Sequence, residues 1–250
     1  MDTSPHTSPA PGSIVVGVDA SPDSDRAVVW AARQAMIEHR PLTLVHGIGV
    51  EGAAWLEARD TQGESVLDLL RAEGQKVLDA ASTTARWTYP DVEIGTVMPL
   101  TDARLALLEI AERAAMLVVG TRGRGPLTEL VMGSVSHAVT RLPPCPVVVV
   151  RPHDDDRART VVLVGVDGSG ASTAAIEFAY RQASARDLQL TVMYCFLDLL
   201  GNGIDSGVVA YDAPGLEAQR LVLDESVAGM GEKFSDVSVT LVIGRGPVDE

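Results

Sequence analysis

Short apolar runs alternate with longer amphipathic stretches through the first 151 residues of the chain. The runs are rich in β-branched residues and bounded by turn residues, as in strands buried on both faces of a parallel sheet. The five predicted strands lie at 14–18, 42–46, 92–98, 116–120 and 147–151. The stretches between them repeat with helical period and predict four helices, at 22–39, 63–85, 102–114 and 130–141. This alternation predicts an α/β fold with a doubly wound, five-stranded parallel sheet.

The chain also repeats itself at an offset of 148 residues. The stretch IVVGVDASPDSDRAVVWAARQA at 14–35 recurs as VLVGVDGSGASTAAIEFAYRQA at 162–183, and the same offset still aligns Pro99 with Pro247. A period of this length is that of a whole domain, so we infer a tandem repeat. The predicted elements of the second copy are strands at 162–166, 190–195 and 237–243 and helices near 170–186 and 214–231.

The repeat divides the chain into four segments. These are a Pro/Ser/Thr-rich tail at 1–13 that we expect to be disordered, a complete domain at 14–151, a polar linker at 152–161, and a second domain at 162–250. The second copy matches 14–102 only, so the counterpart of 103–151 is missing and this copy is incomplete. Because an unfinished sheet leaves an open edge and an uncovered apolar face, we expect poor order, a swap onto a neighbour, or completion by other residues.

The charge of the chain narrows the classes of function. Its 20 basic and 34 acidic residues give a net charge of −14, whereas nucleic-acid binding depends on clustered Lys and Arg. No apolar run approaches the roughly 20 residues that span a bilayer. Two cysteines are too few for a disulfide framework, and the start MDTSPHTSPAPGS is not a signal peptide. We therefore expect a cytoplasmic protein that binds neither nucleic acid nor membrane.

The first segment with candidate chemistry is Gly17-Val18-Asp19-Ala20-Ser21, at the end of strand one and in the turn after it. Ligands of doubly wound sheets bind beyond the carboxyl ends of the strands, which places Asp19 beside a ligand. Asp and Ser are also common caps of a helix start. Asp19 therefore has two interpretations, a ligand contact and a local cap, and a second segment favours the ligand contact.

That second segment is GTRGRGPLTELVMGSVSHAV at 120–139, which follows strand four and has the form Gly120-x2-Gly123-x9-Gly133-Ser134. Glycines let backbone N–H groups approach an anion, and the start of the following helix favours phosphate. Arg122 and Arg124 supply positive charge, and the hydroxyls of Ser134 and Ser136 are further candidate donors. The segment therefore predicts a phosphate-binding loop.

With these residues the chain resembles the universal stress protein family. ATP-binding members of that family carry a G-2x-G-9x-G-[S/T] loop on a five-stranded α/β domain, and residues 120–134 match the loop in full. The loop is specific when it occurs together with the VGVDAS of strand one. The first copy resembles the family from end to end and the second over its first three strands. The resemblance implies a tandem universal stress protein that binds ATP with Mg²⁺.

The resemblance also assigns residues to the implied nucleotide site. It places Gly17 and Asp19 beside the adenosine. The loop residues around the phosphates and ribose would be Gly120, Thr121, Arg122, Gly123, Arg124 and Gly125. The residues that hold phosphate at the helix start would be Gly133, Ser134 and Val135. In the second copy, Gly165 and Asp167 match the strand-one half of the site only.

One position departs from the family pattern. The family places an apolar residue against adenine after a histidine at the end of strand two, whereas here Gly47 follows His46. At this position the present sequence therefore has no side chain that could contact adenine as in the family. We interpret His46 itself as structural, because the sequence offers it no catalytic partner.

The function implied by the resemblance is a regulatory, stress-response module that binds an adenine nucleotide and is not an enzyme, with at most slow hydrolysis. It would form a homodimer, or pair its domains within the chain, through the last strand at 147–151. The alternative is an ATP-using enzyme on the same fold, a slow ATPase or an adenylating type, but VDASPD lacks the SGGxDS-like loop of such enzymes. A phospho-receiver domain would need an acceptor Asp after strand three, where this chain has Val97-Met98-Pro99.

Overall fold

The computed structural model describes residues 9–49, 65–123, 132–141, 143–152, 160–196 and 207–246. They form two compact units, which lie within Met1–Asp154 and Asp155–Glu250 and are named unit 1 and unit 2 below. Among these residues no helix has both the length and the apolar surface that crossing a bilayer requires.

Unit 1 alternates strands and helices as the hydrophobic pattern predicts. The strands are β1 (Ile14–Gly17), β2 (Leu42–Val45), β3 (Ile94–Val97), β4 (Met116–Gly120) and β5 (Val147–Val150). The helices are α1 (Pro22–Glu38), α2 (Val66–Thr88), α3 (Ala103–Ala111) and α4 (Ser134–Arg141). All five strands pair in parallel, in the order β3-β2-β1-β4-β5. The predicted doubly wound parallel sheet is confirmed.

Helix bounds differ from the prediction in α3, which ends at Ala111 instead of 114, and in α4 and α2. The difference in α2 affects both ends. The helix begins after Ser65, whose hydroxyl accepts a hydrogen bond from the N–H of Asp68 at 3.1 Å, while the predicted start at 63 lies outside the described residues. It ends at Thr88, whereas the prediction ended at 85. The last turn was missed because it is exposed and therefore carries no apolar repeat in the sequence. Helix α4 begins at Ser134 instead of 130. Residues 132 and 133 of its predicted range are not helical, and residues 130 and 131 lie outside the described residues.

Strand β1 lies at the point where the strand order reverses. The chain proceeds from β1 to β2 and β3 on one side, then returns to place β4 and β5 on the other. Ile14, Val15 and Val16 of β1 are completely buried, as expected for a strand covered on both faces. A reversal of this kind opens a crevice beyond the carboxyl ends of β1 and β4. Both segments with candidate chemistry begin at this crevice.

The turn from β1 into α1 contains a strained residue. Ala20 has a φ of 60°, in the left-handed region, and the repeat places Gly168 with a φ of 77° at the equivalent position. A Cβ disfavours this conformation by about 1–2 kcal/mol, whereas glycine adopts it freely.

We therefore expect Ala20→Gly to stabilise unit 1 by about 0.5–1 kcal/mol, after the larger backbone entropy that glycine brings to the unfolded chain is subtracted. Tryptophan fluorescence during thermal unfolding checks this and reports on unit 1 alone, because Trp30, Trp55 and Trp87 all belong to it. An unchanged or lower midpoint would contradict the assignment of strain to Ala20.

Unit 2 repeats the first part of this arrangement. Its elements are β6 (Val161–Val166), α5 (Gly170–Arg186), β7 (Gln189–Phe196), β8 (Gly207–Val209), α6 (Glu217–Val227), α7 (Met230–Lys233) and β9 (Val239–Arg245). Strands β6, β7 and β9 pair in parallel, as β1, β2 and β3 do, and the sheet order is β6-β7-β9-β8. The antiparallel edge strand β8 was not predicted, because three residues are too few to show an apolar alternation.

Unit 2 has a core of its own. Ile176, Tyr180, Leu190 and Ile243 are almost fully buried, and the Tyr180 ring stacks on Phe234 with centroids 5.4 Å apart. These residues form a packed core within the described part of unit 2, and the order of this copy stays a prediction. The expected open edge is present at β6, where the side chain of Leu163 is 60% exposed while its repeat counterpart in the middle of the other sheet, Val15, is completely buried.

Candidate functional site

A cavity of about 310 Å³ opens beyond the carboxyl ends of β1, β2 and β4. The sequence-predicted residues that line it are Gly17, Asp19, Gly120, Arg122, Gly123, Gly133, Ser134, Val135 and Ser136. Its other lining residues are Val18, Ser24, Val45, His46, Gly47, Ala103, Leu107, Val119 and Met132. The turn after strand one and the described residues of the glycine loop (120–134), far apart in sequence, therefore face the same cavity.

Asp19 both caps the turn and lines the cavity. Its Oδ1 accepts a hydrogen bond from the N–H of Ser21 at 3.0 Å, and its own N–H donates to Ser24 Oγ at 3.2 Å. The carboxylate also lies against the backbone of Gly123, where the Cβ of any other residue would overlap Asp19 Oδ2. The two interpretations of Asp19 are thus compatible, since one oxygen holds the turn while the residue borders the cavity.

The glycine loop leaves β4 in close contact with the start of α1. At Gly120 a Cβ would lie 2.7 Å from the carbonyl carbon of Asp23 and 2.8 Å from its oxygen. Thr121 does not line the cavity. Its hydroxyl donates to the carbonyl of Val150 at 2.9 Å, and its own carbonyl accepts the N–H of Gly133 at the same distance. Thr121 therefore anchors the loop to β5 and to the start of α4.

Two donors assigned to phosphate are already used within the protein. The N–H of Gly133 donates to Thr121, and the buried hydroxyl of Ser136 donates to the carbonyl of Gly120 at 2.7 Å. Each of these two groups has one proton to donate and gives it to a loop carbonyl here, so their contact with phosphate stays a prediction. The N–H groups of Ser134 and Val135 remain at the first turn of α4, where no carbonyl precedes them within the helix.

The apolar side of the cavity is formed by Val45, Gly47, Ala103 and Leu107. At Gly47 a Cβ would lie 2.7 Å from Cα and 3.0 Å from the nitrogen of Ala103, so the backbone of α3 occupies the space that a side chain would need. The departure from the family pattern thus has a structural counterpart. The start of α3 supplies an apolar wall where the family uses the side chain after the histidine.

His46 is held by the backbone. Its Nδ1 lies 2.7 Å from the carbonyl oxygen of Val18, so Nδ1 must carry the proton and donate it. This bond joins the end of β2 to the end of β1 at the cavity. It agrees with the structural interpretation of His46.

Two of the assigned loop residues, Arg124 and Gly125, lie outside the described residues. In unit 2, the turn at Asp167 repeats the turn at Asp19. The N–H of Ser169 donates to Asp167 Oδ1 at 2.9 Å, and the N–H of Asp167 donates to Ser172 Oγ at 3.1 Å. Hydrogen bonds from Ser169 and then Ser172 lower the pKa of this exposed carboxyl to about 2. Within the described part of unit 2, no glycine loop lies beside Asp167 or Gly165.

Across the described ranges, no group of three or more His, Cys, Asp or Glu side chains could hold a metal ion. Magnesium commonly binds through substrate phosphates, water and one or two carboxylates instead of a full protein cage. Among the described lining residues the one carboxylate is that of Asp19, whose Oδ1 accepts the N–H of Ser21, so a magnesium ion would be held here by the phosphates of its ligand and by water.

Several residues around the cavity were missed in the sequence. Asp23 is 8% exposed, and its Oδ2 accepts the N–H of Arg122 at 3.0 Å. Its one signal was the acidic first turn of α1, which also fits ordinary helix capping. Ala103 and Leu107 appeared only as positions in an amphipathic helix, because their approach to Gly47 and Gly17 depends on how α3 is placed.

Comparison with known proteins adds three findings. The family model described as the universal stress protein family matches residues 12–151. A universal stress protein of Mycobacterium tuberculosis is 34% identical over an alignment of 248 positions, which covers 93% of this chain and 78% of that protein. The crystal structure of a universal stress protein from Archaeoglobus fulgidus matches with a TM-score of 0.66 at 15% identity, over 94% of this chain and 77% of that one, and shows a shared fold.

Another Archaeoglobus fulgidus universal stress protein was solved in complex with dAMP. It matches with a TM-score of 0.40 at 20% identity, over 55% of this chain and 96% of that one. The bound dAMP is a property of that protein.

Proposed function

The chain belongs to the universal stress protein family, and on that premise we propose that unit 1 binds ATP, with Mg²⁺, in its cavity and acts as a regulatory nucleotide-binding module in the stress response. The observation that carries the proposal is that the glycine loop and the strand-one turn line one cavity, with the start of α4 open to it. Its size is within the range of small-molecule sites, about 300–1,000 Å³.

The phosphates would bind at the start of α4. The N–H groups of Ser134 and Val135 and the helix dipole favour an anion there, and the exposed side chain of Arg122 adds a positive charge. Opposite charges about 4 Å apart gain about 4 kcal/mol at an effective dielectric constant near 20. Acidic groups more than about 8 Å away are largely screened at physiological salt, so the net charge of −14 does not oppose local binding.

The nucleoside would occupy the other side of the cavity. A carboxylate repels phosphate but accepts hydrogen bonds from ribose hydroxyls, which suits Asp19. Val45, Ala103 and Leu107 provide the apolar surface that a purine ring requires. The cavity thus has one end for phosphate and one end for adenosine.

We propose binding and not turnover as the activity of this site. The ionisable side chains among the described lining residues are Asp19, His46 and Arg122. Asp19 Oδ1 holds the N–H of Ser21, and His46 Nδ1 donates to Val18. Both groups are engaged in maintaining the turns around the cavity, which favours retention of ATP, with the bound state read by a partner.

The proposal extends to assembly and location. Strand β5 is the edge of its sheet and its four valines are half-buried, so a homodimer or a pairing of domains would cover it. Cys145 and Cys195 are both free thiols, which suits a reducing cytoplasm. Light scattering of the purified chain measures the oligomeric state directly.

The experiment that tests the nucleotide assignment is mass spectrometry of the ligand released from denatured protein, followed by calorimetric titration of the ligand-free chain with ATP and Mg²⁺. Release of ATP, or saturable binding of one ATP per chain, supports the proposal. Release of a cyclic nucleotide would change the ligand. An empty protein that does not bind ATP at millimolar concentration would overturn the proposal.

Asp19→Ala should weaken the binding of ATP and of adenosine alike, by about tenfold each, because a hydrogen bond to a charged group contributes about 1.5–3 kcal/mol. The matched control is Asp25→Ala, which removes an exposed carboxylate from the first turn of α1 and leaves the cavity lining intact. Equal affinities for Asp19→Ala and the parent would contradict the placement of ribose beside Asp19.

A further inference from the structure

The start of α1 holds both backbone polar groups of Arg122. Asp23 Oδ2 accepts the N–H of Arg122 at 3.0 Å, and Ser21 Oγ donates to its carbonyl at 3.3 Å. Both side chains are buried, whereas Arg122 is exposed. The backbone of Arg122 is therefore fixed on α1 at the lining of the cavity, and its charged side chain is exposed.

Asp23 is itself held firmly. Its Oδ1 pairs with Arg26 one turn along α1, and its backbone is in contact with Gly120 at the first residue of the loop. A carboxylate that is buried needs compensation, and here it comes from one guanidinium group and one backbone N–H. The carboxylate therefore holds Arg26 and the N–H of Arg122 at the same time.

The first turns of α1 and α4, the two helices that begin near the cavity, differ in their acidic residues. Helix α1 has Asp23 and Asp25 in its first turn, so its dipole already interacts with acidic side chains. Helix α4 has no acidic residue in its first turn. An anionic ligand is therefore favoured at the start of α4, whereas the start of α1 binds the backbone of Arg122.

Comparison of the two copies of the repeat shows which residues of unit 1 form the turn and which contact the loop. The offset of 148 pairs Asp19, Ser21 and Ser24 with Asp167, Ser169 and Ser172, and both sets make the same turn. It pairs Asp23 and Arg26 with Ala171 and Ala174. The described part of unit 2 has no loop beside these alanines. The turn therefore forms without Asp23 and Arg26, which are found where α1 contacts the loop.

We propose that Asp23 is a positioning residue that fixes Arg122 for the phosphates and so determines the preference of the site for ATP over adenosine. This rests on the proposed function of the cavity. Asp23 acts through Arg122 and through Gly120, and it does not itself line the cavity. Its removal should therefore affect the phosphate end of the site and leave the adenosine end unchanged.

The test compares the dissociation constants of ATP and of adenosine for the parent and for Asp23→Ala, which copies Ala171. We expect ATP affinity to fall about tenfold, the equivalent of about 1.4 kcal/mol, and adenosine affinity to stay within about twofold. Asp23→Asn keeps an oxygen that can accept the N–H of Arg122, so it should restore most of the ATP affinity. Loss of a negative charge alone would raise ATP affinity, and the control Asp25→Ala measures that effect at the same helix end.

The possible results separate the two proposals. A parent that binds neither ligand overturns the proposed function and this inference with it. A parent that binds ATP, with an Asp23→Ala variant that loses ATP and adenosine equally or loses neither, overturns the positioning role alone. Where Asp23→Ala does not fold, Asp23→Ser carries the same comparison, because its shorter side chain keeps a polar group in the first helical turn.

Discussion

Gly120→Ala is expected to destabilise unit 1 and to abolish ATP binding. The new methyl group would lie 2.7, 2.8 and 2.9 Å from the carbonyl carbon, carbonyl oxygen and Cβ of Asp23. Two of these are backbone atoms of α1, a helix buried against β1 and β4, so they cannot move aside without shifting the helix. Forced contacts of this kind cost about 1–3 kcal/mol, and we expect the upper end, about 3 kcal/mol. The loop begins at this residue and would be displaced with it.

Chemical denaturation followed by tryptophan fluorescence measures the loss of stability, and calorimetric titration with ATP measures the loss of binding. The matched control is Gly95→Ala in β3, where a Cβ would meet no atom within 4 Å. That variant should unfold within about 0.5 kcal/mol of the parent and bind ATP normally. A Gly120→Ala protein as stable as the control would mean that the loop and α1 are farther apart than the structure shows.

Gly123→Ala is expected to reduce ATP affinity by at least tenfold with a smaller change in stability. Its methyl group would overlap Asp19 Oδ2, and Asp19 cannot turn away without breaking the hydrogen bond from Ser21 to Oδ1. The substitution thus disturbs the strand-one turn and the loop together, at the cavity. A displaced Asp19 carboxylate would lose its proposed hydrogen bond to ribose. A hydrogen bond to a charged group contributes about 1.5–3 kcal/mol, so at least a tenfold loss of ATP affinity is expected.

Gly133→Ala is a second loop variant whose loss of ATP affinity can be compared with that of Gly123→Ala. A Cβ there would lie 3.3 Å from the carbonyl oxygen of Thr121 and 3.5 Å from Cα of Arg122, which is tight but needs only a small adjustment. We expect its effect on ATP affinity to be smaller than that of Gly123→Ala when both are titrated under the same conditions. A larger effect at Gly133 would contradict the view that its N–H is used by Thr121 and point to a direct phosphate contact.

The sequence alone determined the fold class, the duplication and the segments that meet at the cavity. Strands buried on both faces require largely apolar runs, and the runs of β1, β2 and β4 appear as such in the chain. Parallel strands place their carboxyl ends at one edge, so Asp19 after β1 and Gly120 at the end of β4 had to face the same crevice. Weak local patterns were missed, including the three-residue strand β8 and the exposed last turn of α2.

Only the tertiary structure decided what each residue at the cavity does. Ser136 is a candidate phosphate donor by spacing, yet its hydroxyl serves Gly120, and Gly47 lacks a side chain because the backbone of α3 fills that space. Asp23 fits an ordinary cap in the sequence, while in the fold it holds Arg122, 99 positions along the chain. The physical reason is the same in each case. Apolar periodicity is a property of neighbouring residues, whereas the partner of a hydrogen-bond donor and the room for a Cβ depend on atoms brought together by packing.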